Sequence, residues 1–323
     1  MNEVKIRSVG AYLPSKVVTN EDMSKFVETN NEWIVDRTGI ESRRISEGED
    51  TSDIAYKAGK IALDRSGFKG EDLDLIIVAT LTPDNYTPSV ACMLQKKLEA
   101  KNATAFDVNA ACTGFIYALE IGKSLIQVGR YKRALIVGAE TLSKIVDWSD
   151  RSTCILFGDG GGACILEKTE EQGIINSYSI SDGEKGDTLI AGARDVINPF
   201  VEKIEEKHKY ISMNGREVFK FATKAMVTSV EKVLEGTEYK LSDIDLVIPH
   251  QANLRIIDYA AKKLNLPRDR FYINLEKVGN TSAGSIPIAL NGAFEDGILK
   301  EGMLIVLVGF GGGLTCGATL IKM

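Results

Sequence analysis

The chain alternates short, wholly apolar runs with longer stretches in which apolar positions recur at helical spacing. Buried strands separated by helices are typical of an α/β protein whose sheets are covered on both faces. Near the N-terminus, Asn20 followed by Glu21 and Asp22 predicts a helix start capped by Asn20. Six apolar runs bounded by turn residues predict buried strands, at 75–80, 133–139, 163–167, 246–249, 304–308 and 318–322.

The apolar pattern repeats at a fixed distance along the chain. LDLIIVAT at 73–80 resembles IDLVIPHQ at 244–251, and ALIVGAE, with Gly138, resembles IVLVGFG, with Gly309. Both pairs are 171 residues apart, since 244 − 73 and 309 − 138 give the same value. Two matches at one offset predict a duplicated half, although any two buried strands share some similarity. We expect two halves, 1–172 and 173–323, each a helix-covered sheet.

Composition and charge exclude several classes of protein. The chain has 323 residues, of which 44% are hydrophobic and 26% charged, as expected for a folded protein with a large core. A net charge of −6 argues against a nucleic-acid binder held by phosphate contacts. The longest apolar stretch, 303–314, contains four glycines and is shorter than the ~18–20 residues of a bilayer span. The first ten residues lack a signal-peptide core, which predicts a cytoplasmic protein.

The five cysteines and two histidines predict free thiols and no metal site. The number of cysteines is odd and no CxxC pair occurs, so a disulfide framework is not expected. His208 lies in the charged run EKIEEKHKY and is predicted to be a surface residue. No histidine cluster accompanies the cysteines, so a tetrahedral zinc site could be built only from scattered residues.

Cys112 is the candidate nucleophile. It lies between a predicted strand at 104–108 and an apolar helical run at 114–128, so it stands at the N-terminus of a buried helix. Backbone N–H groups and the helix dipole favour an anion there, and they lower the pKa of a thiol. The alternative is an inert, small buried side chain, which is the commoner role of a free cysteine.

Three further features are predicted to lie, like Cys112, at the ends of strands in the two related halves. His250 directly follows the strand at 246–249, where α/β proteins place their ligands. Asn280 lies in the polar loop VGNTSAG, which the 171-residue offset makes the counterpart of the Cys112 loop. Glycines at 311–313 can present backbone N–H groups to an oxyanion. Each alone also fits a structural role, as a core histidine or turn residues, but together they predict one site.

Six motifs resemble β-ketoacyl-acyl-carrier-protein synthase III: DVNAACTGF, IPHQANLRI, GNTSAGS, VGFGGG, RTGIESRR and LFGDGGGA. The resemblance implies a thiolase-like fold, with five layers αβαβα made from two duplicated halves. It implies a decarboxylative condensation of an acyl-CoA primer with malonyl-acyl carrier protein, which initiates fatty-acid synthesis. Cys112 is then the acylated nucleophile, and His250 and Asn280 complete the triad. No metal or redox cofactor is implied.

The same resemblance implies further site residues and a homodimer. The oxyanion hole consists of the Cys112 and Gly312 N–H groups. Trp33, Arg37 and Arg151 match positions that bind coenzyme A. The acyl pocket includes Phe310 and, from the partner subunit, Thr87. Arg216 departs from the family pattern, which commonly has an asparagine there to bind pantetheine, and Cys316 follows the glycine loop instead of preceding it as the second cysteine of thiolases does.

An acidic chain that binds an acidic carrier protein needs a local basic patch. The predicted helix at 252–264 begins beside His250 and carries Arg255, Lys262 and Lys263, of which the first two share a face. Lys220 and Lys224 extend the predicted patch. The alternative is an ordinary solvated helix face.

Two other functions stay open at this point. A priming synthase or acyltransferase of a polyketide pathway would carry the same triad and differ in its acceptor. A non-catalytic scaffold of the same fold would leave Cys112 unreactive. The sequence does not decide the length or branching of the primer.

Overall fold

The computed structural model describes residues 2–201 and 209–323. The predicted surface residue His208 lies outside these residues. The strands are β1 (Glu3–Tyr12), β2 (Lys16–Thr19), β3 (Ser42–Ile45), β4 (Leu75–Ala79), β5 (Thr104–Val108), β6 (Arg133–Glu140), β7 (Gly160–Thr169), β8 (Ile174–Ser181), β9 (Leu189–Ala191), β10 (Ile211–Met213), β11 (Leu246–Pro249), β12 (Leu304–Gly311) and β13 (Thr315–Lys322). All six predicted strands are present, with ends that differ by a few residues.

Ten α-helices lie in the described part of the chain. They are α1 (Asn20–Met23), α2 (Asn31–Thr38), α3 (Thr51–Ser66), α4 (Val90–Lys97), α5 (Gly114–Gln127), α6 (Arg151–Cys154), α7 (Gly215–Lys232), α8 (Leu254–Leu264), α9 (Leu275–Val278) and α10 (Ser285–Glu295). None of the helices in residues 2–201 and 209–323 combines the length and apolarity needed to cross a bilayer.

The two main sheets repeat one topology. The first has the order β1-β7-β6-β4-β5 and the second the order β8-β13-β12-β11. In the first sheet, β4 pairs in parallel with both β5 and β6, while β7 pairs antiparallel with β6 and β1. In the second sheet, β12 pairs in parallel with β11, and β13 pairs antiparallel with β12 and β8. Phe271 bridges Val247 in parallel on the free side of β11, in the place that β5 takes beside β4. The predicted internal repeat therefore corresponds to a repeated strand order.

Helices and sheets form five layers. Helices α3 and α4 cover the outer face of the first sheet, and their apolar side chains form one core with it. Helices α5 and α10 lie between the sheets and pack against strands of both. Helix α7 covers the outer face of the second sheet and packs against α8. The αβαβα order agrees with the predicted fold class. The division at 172/173 stays a prediction, and it falls in the connection between β7 and β8.

Two predicted helix starts differ from the structure. Thr19, not Asn20, caps the first helix, because its side chain accepts a hydrogen bond from the Asp22 N–H and the Asp22 carboxylate accepts one from the Thr19 N–H. Asn20 is instead buried, and its amide donates to the Ile40 carbonyl. Helix α8 begins at Leu254 and not at 252, because the side chain of Asn253 accepts from the Arg255 N–H and caps it.

Candidate active site

Cys112 stands just before the N-terminus of the central helix α5. It belongs to a single 3₁₀ turn, Ala111–Thr113, that joins β5 to this helix, as the sequence predicts. The turn begins at Ala111, whose φ of 46° is left-handed, and the side-chain oxygen of Asn109 accepts a hydrogen bond from the Ala111 N–H at 3.3 Å. Helix α5 is buried between the two sheets, so its first turn presents Cys112 at the junction of the two halves.

The glycine loop after β12 packs directly against Cys112. A Cβ atom at Gly311 would lie 2.8 Å from the Cys112 Cβ and 2.8 Å from its backbone nitrogen, so a side chain there is excluded. Gly312 follows at the start of the next turn and lines a cavity together with Cys112. The loop therefore brings backbone of the second half to the thiol of the first.

His250 lies at the carboxyl end of β11, where its N–H donates to the Val308 carbonyl at 2.8 Å. The imidazole is 1% exposed, and the ring of Phe310 packs edge-on against it with centroids 5.1 Å apart. Nδ1 is buried and has no hydrogen-bond partner among the described residues. Burial lowers the pKa of His250 to about 3, so the ring is neutral at physiological pH.

The carboxamide of Asn280 has a fixed orientation. Its Oδ1 accepts a hydrogen bond from the Ser282 N–H at 2.9 Å, which assigns the other terminal atom as the amide nitrogen. The Asn280 backbone is held as well, because its N–H donates to the Leu156 carbonyl and its carbonyl accepts from the Gly158 N–H. The NH₂ group donates to none of the residues that the structure describes.

One cavity of about 100 Å³ brings Cys112, His250, Asn280 and Gly311 together. The rest of its wall is mainly apolar, so polar groups of a substrate would meet few competing partners. The other lining residues are Leu156, Phe157, Leu189, Met213, Gly215, Val218, Phe219, Ala252, Asn253, Ile256 and Phe310. The side chains predicted from separate segments therefore share one enclosed space.

A second cavity, of about 60 Å³, also has Cys112 in its wall. Its lining is apolar apart from Cys112 and Ser282. Phe310, predicted for the acyl pocket, lines the cavity with His250 and not this one. Thr87 is exposed and lines a large open groove of about 1230 Å³ instead. The other residues that line the 60 Å³ cavity are Leu81, Ala111, Leu142, Phe157, Leu189, Ala191, Ile211 and Gly312.

The predicted lowering of the Cys112 pKa is wrong for the resting protein. Burial raises the pKa of this thiol to about 12, because the thiolate loses its hydration in the enclosed site. The Ser282 hydroxyl opposes the shift, while the nearby Glu140 carboxylate adds to it. The position before the helix is as predicted, but burial of the thiol raises its pKa.

Trp33, Arg37 and Arg151 form one cluster. Both guanidinium groups lie over the Trp33 ring, each with its central carbon 4.7 Å from the ring centroid. Asn253, which lines the cavity of His250, donates its amide to the Arg37 carbonyl at 3.0 Å. The cluster therefore adjoins the cavity lined by His250 and offers a flat ring and two cations on the surface.

The predicted basic patch lies on the neighbouring helices α7 and α8. All five of its side chains are exposed: Arg255, Lys262 and Lys263 on α8, and Lys220 and Lys224 on α7. Arg255 pairs with Asp36 of α2 at 3.0 Å in solvent, so part of its charge is balanced in the free protein. Arg216, at the start of α7, is also exposed.

Several site residues escape sequence reasoning. Leu142, Phe157, Leu189 and Ile211 come from separate segments and carry no chemical signal, so their place beside Cys112 appears only in the fold. Ser282 lies within a motif used for the prediction, but nothing in the motif indicates that its hydroxyl faces the thiol. Cys316 is buried on β13 opposite Phe310 and lines a different cavity, in agreement with its predicted absence from the site. Within residues 2–201 and 209–323, no three candidate ligands cluster to hold a metal.

Comparison with known proteins connects this geometry to one family. Residues 106–183 match the family described as 3-oxoacyl-[acyl-carrier-protein (ACP)] synthase III, and residues 234–323 match its C-terminal domain. The chain is 55% identical over 322 residues to β-ketoacyl-[acyl-carrier-protein] synthase III of Clostridium beijerinckii, with 100% of both chains covered.

Solved structures give the same result. The crystal structure of 3-oxoacyl-[acyl-carrier-protein] synthase III from Aquifex aeolicus VF5 is similar with a TM-score of 0.93 and 46% identity, covering 99% of this chain and 100% of that one. The priming β-ketosynthase of the R1128 polyketide biosynthetic pathway is similar with a TM-score of 0.91 and 32% identity, covering 99% and 96%.

Proposed function

Because this chain belongs to the 3-oxoacyl-[acyl-carrier-protein] synthase III family, we propose that Cys112, His250 and Asn280 divide its condensation reaction between them. The chain is an acyltransferase of the condensing type, the enzyme that initiates fatty-acid synthesis. The observation that carries the assignment of residues is the single cavity lined by all three side chains and by Gly311.

In the first half-reaction the Cys112 thiolate attacks the thioester carbonyl of an acyl-CoA. A sulfur–carbon bond forms, the bond to the CoA sulfur breaks, and the CoA thiolate takes up the proton that Cys112 gives up. The backbone N–H groups of Cys112 and Gly312 hold the oxyanion of the tetrahedral intermediate, and the close packing of Gly311 on Cys112 supports this role. Loss of one such donor typically raises the barrier by ~3 kcal/mol. The apolar cavity beside Cys112 receives the acyl chain.

In the second half-reaction His250 and Asn280 act on malonyl-acyl carrier protein. Both donate hydrogen bonds to its thioester carbonyl, which becomes an enolate as CO₂ departs. The carbanion then attacks the acyl group on Cys112, so that a carbon–carbon bond forms, the bond to the Cys112 sulfur breaks, and the released thiolate takes up a proton. The free NH₂ of Asn280 supports this role. A neutral His250 with its proton on Nε2 also suits this role, because Nε2 can then donate to the substrate. The buried Nδ1, which has no partner among the described residues, then carries no proton that would need an acceptor.

These steps transfer an acyl group, release CO₂ and move protons, with no net oxidation or reduction, so we propose a reaction without a metal or redox cofactor. Coenzyme A binds at Trp33, Arg37 and Arg151, where a ring and two cations adjoin the cavity. Acyl carrier protein docks on the exposed patch of α7 and α8. We further propose a cytoplasmic homodimer, in which Thr87 of one subunit lies near the acyl cavity of the other.

Acylation of the intact protein tests the assignment. The protein is incubated with a panel of acyl-CoAs, and mass spectrometry measures the added acyl mass. Wild type and His250→Ala should both gain one acyl group, whereas Cys112→Ser should gain none. Loss of acylation in His250→Ala as complete as in Cys112→Ser would instead make His250 the base that activates the thiol. An unreactive Cys112 in the wild type would contradict the nucleophile.

A further inference from the structure

The loop that carries Ser282 has a counterpart in the other half of the chain. Ala111 lies 171 residues before Ser282, and the two residues share a left-handed backbone, with φ of 46° and 47°. In each loop the asparagine two residues earlier accepts a hydrogen bond from this residue's N–H. Since an alanine suffices in the first loop, the backbone conformation does not require the Ser282 hydroxyl.

The hydroxyl of Ser282 is buried and unsatisfied. The residue is 1% exposed, and its Oγ makes no hydrogen bond of normal geometry with any described residue. A buried hydroxyl without a partner is costly. Ser282 lines the 60 Å³ cavity, in which the only other polar side chain is the thiol of Cys112.

The thiol of Cys112 needs a hydrogen-bond donor once it is ionised. Burial raises its pKa to about 12, and the Ser282 hydroxyl is the side chain that opposes this rise. A donor to a buried anion stabilises it more strongly than a donor to a neutral group.

We propose that the Ser282 hydroxyl donates a hydrogen bond to the Cys112 thiolate and thereby stabilises the nucleophile. Ser282 keeps its proton, so no group is transferred. The hydrogen bond acts when Cys112 attacks the acyl-CoA, and again when the thiolate leaves as the carbanion takes the acyl group. It is lost in the acyl-enzyme, whose sulfur is uncharged. The inference deepens the proposed function, because it rests on Cys112 as the nucleophile.

Alkylation without substrate tests the hydrogen bond directly. Iodoacetamide is added over a range of pH values, and peptide mass spectrometry measures the alkylation rate of Cys112. The exposed Cys92 serves as an internal reference in the same sample. In Ser282→Ala the rate at Cys112 relative to Cys92 should fall about tenfold at a given pH, with the pH profile moved upward by about one unit. Ser282→Gly, which suits the left-handed backbone, should show the same change.

Thr281→Val is the matched control. Thr281 is the neighbouring residue, and its hydroxyl is also buried and unpartnered, but it does not line the cavity. Its replacement should leave the alkylation profile of Cys112 unchanged. An unchanged profile in both Ser282 variants, or an equal change in Thr281→Val, would overturn the hydrogen bond. A Cys112 that is alkylated normally yet never acylated would overturn the proposed function and not this inference.

Discussion

Asn109 and Asn280 make the same hydrogen bond in two turns that pack against each other at the junction of the two halves. The side-chain oxygen of Asn109 accepts the Ala111 N–H at 3.3 Å, and that of Asn280 accepts the Ser282 N–H at 2.9 Å. The following 3₁₀ turns are in contact. One turn presents Cys112, and the other presents the amide of Asn280. The duplication thus supplies two equivalent loops, and their side chains differ in the proposed chemistry.

The substitution Asn280→Asp distinguishes the role of Asn280 in holding its turn from its proposed role as a hydrogen-bond donor to the substrate. The carboxylate keeps the acceptor for Ser282 N–H, but it removes the NH₂ donor and places a negative charge where an enolate must form. Decarboxylation of malonyl-acyl carrier protein should fall at least 100-fold, on the order of the loss of one oxyanion donor. Acylation of Cys112 by acyl-CoA should stay within a few-fold of wild type. Release of labelled CO₂ measures decarboxylation, and the mass of the intact protein measures acylation of Cys112.

Asn109→Asp is the control for this pair, because it makes the same change in the equivalent turn. Asn109 lines the open groove and not the cavity that His250 and Asn280 share, so both half-reactions should be nearly unchanged. Equal loss of decarboxylation in the two variants would mean that Asn280 acts through the turn alone.

Charge reversal at Arg255 tests the docking patch. Arg255→Glu should raise the KM for malonyl-acyl carrier protein about tenfold, because it places a negative charge against an acidic partner. Added salt should reduce the difference from wild type. Acylation by acyl-CoA should not change. Lys60→Glu on α3, at the opposite outer layer, reverses one exposed cation and should leave this KM unaltered. A parallel loss of both half-reactions, or no change in either, would place docking elsewhere.

Thr87→Phe tests the primer pocket of the proposed dimer. A ring in place of the small side chain should fill space that a longer or branched acyl chain needs. Each methylene excluded removes ~0.8 kcal/mol of burial, so kcat/KM for a primer two methylenes longer than acetyl should fall about tenfold relative to acetyl-CoA. Thr87→Val, which keeps the volume, should retain the wild-type preference. A primer profile in Thr87→Phe identical to wild type would exclude Thr87 from the pocket.

Glu140 is a buried carboxylate at the end of β6 that lies outside the proposed triad. It accepts hydrogen bonds from the hydroxyls of Thr80 and Thr82 and from the N–H groups of Leu81 and Thr82. These bonds tie β6 to the turn that carries Leu81, a residue of the small cavity beside Cys112. Burial nevertheless raises the pKa of Glu140 to about 7.

This raised pKa predicts a pH-dependent stability. The folded state holds the proton up to about pH 7, whereas the unfolded state releases it near the ordinary value of 4.5. The free energy of unfolding should therefore fall as the pH rises from about 4.5 to 7, by about 3 kcal/mol from this group. The difference in the free energy of unfolding between wild type and Glu140→Gln, measured by urea unfolding, should decrease by about 3 kcal/mol between pH 5 and pH 8. The exposed Glu71→Gln should show no such trend, and a constant difference for Glu140→Gln would refute the assignment.

The sequence by itself determined the buried core strands, their duplication and the family. Buried strands are visible locally, because every side chain of β4 and β11 is apolar, and the 171-residue repeat follows from pairs such as β6 and β12. The motifs around Cys112, His250 and Asn280 named the candidate triad, because each is contiguous in the chain.

Tertiary structure alone decided the environment of these groups. Burial reversed the predicted direction of the Cys112 pKa and made His250 neutral, and desolvation depends on what packs around a side chain and not on its neighbours in the chain. Ser282 and Cys112 line one apolar cavity, and the residues of this cavity come from distant parts of the sequence. Thr19 and not Asn20 caps α1, since the Asn20 amide donates a hydrogen bond to the distant Ile40 carbonyl. Such contacts carry no local pattern, so only the folded chain specifies them.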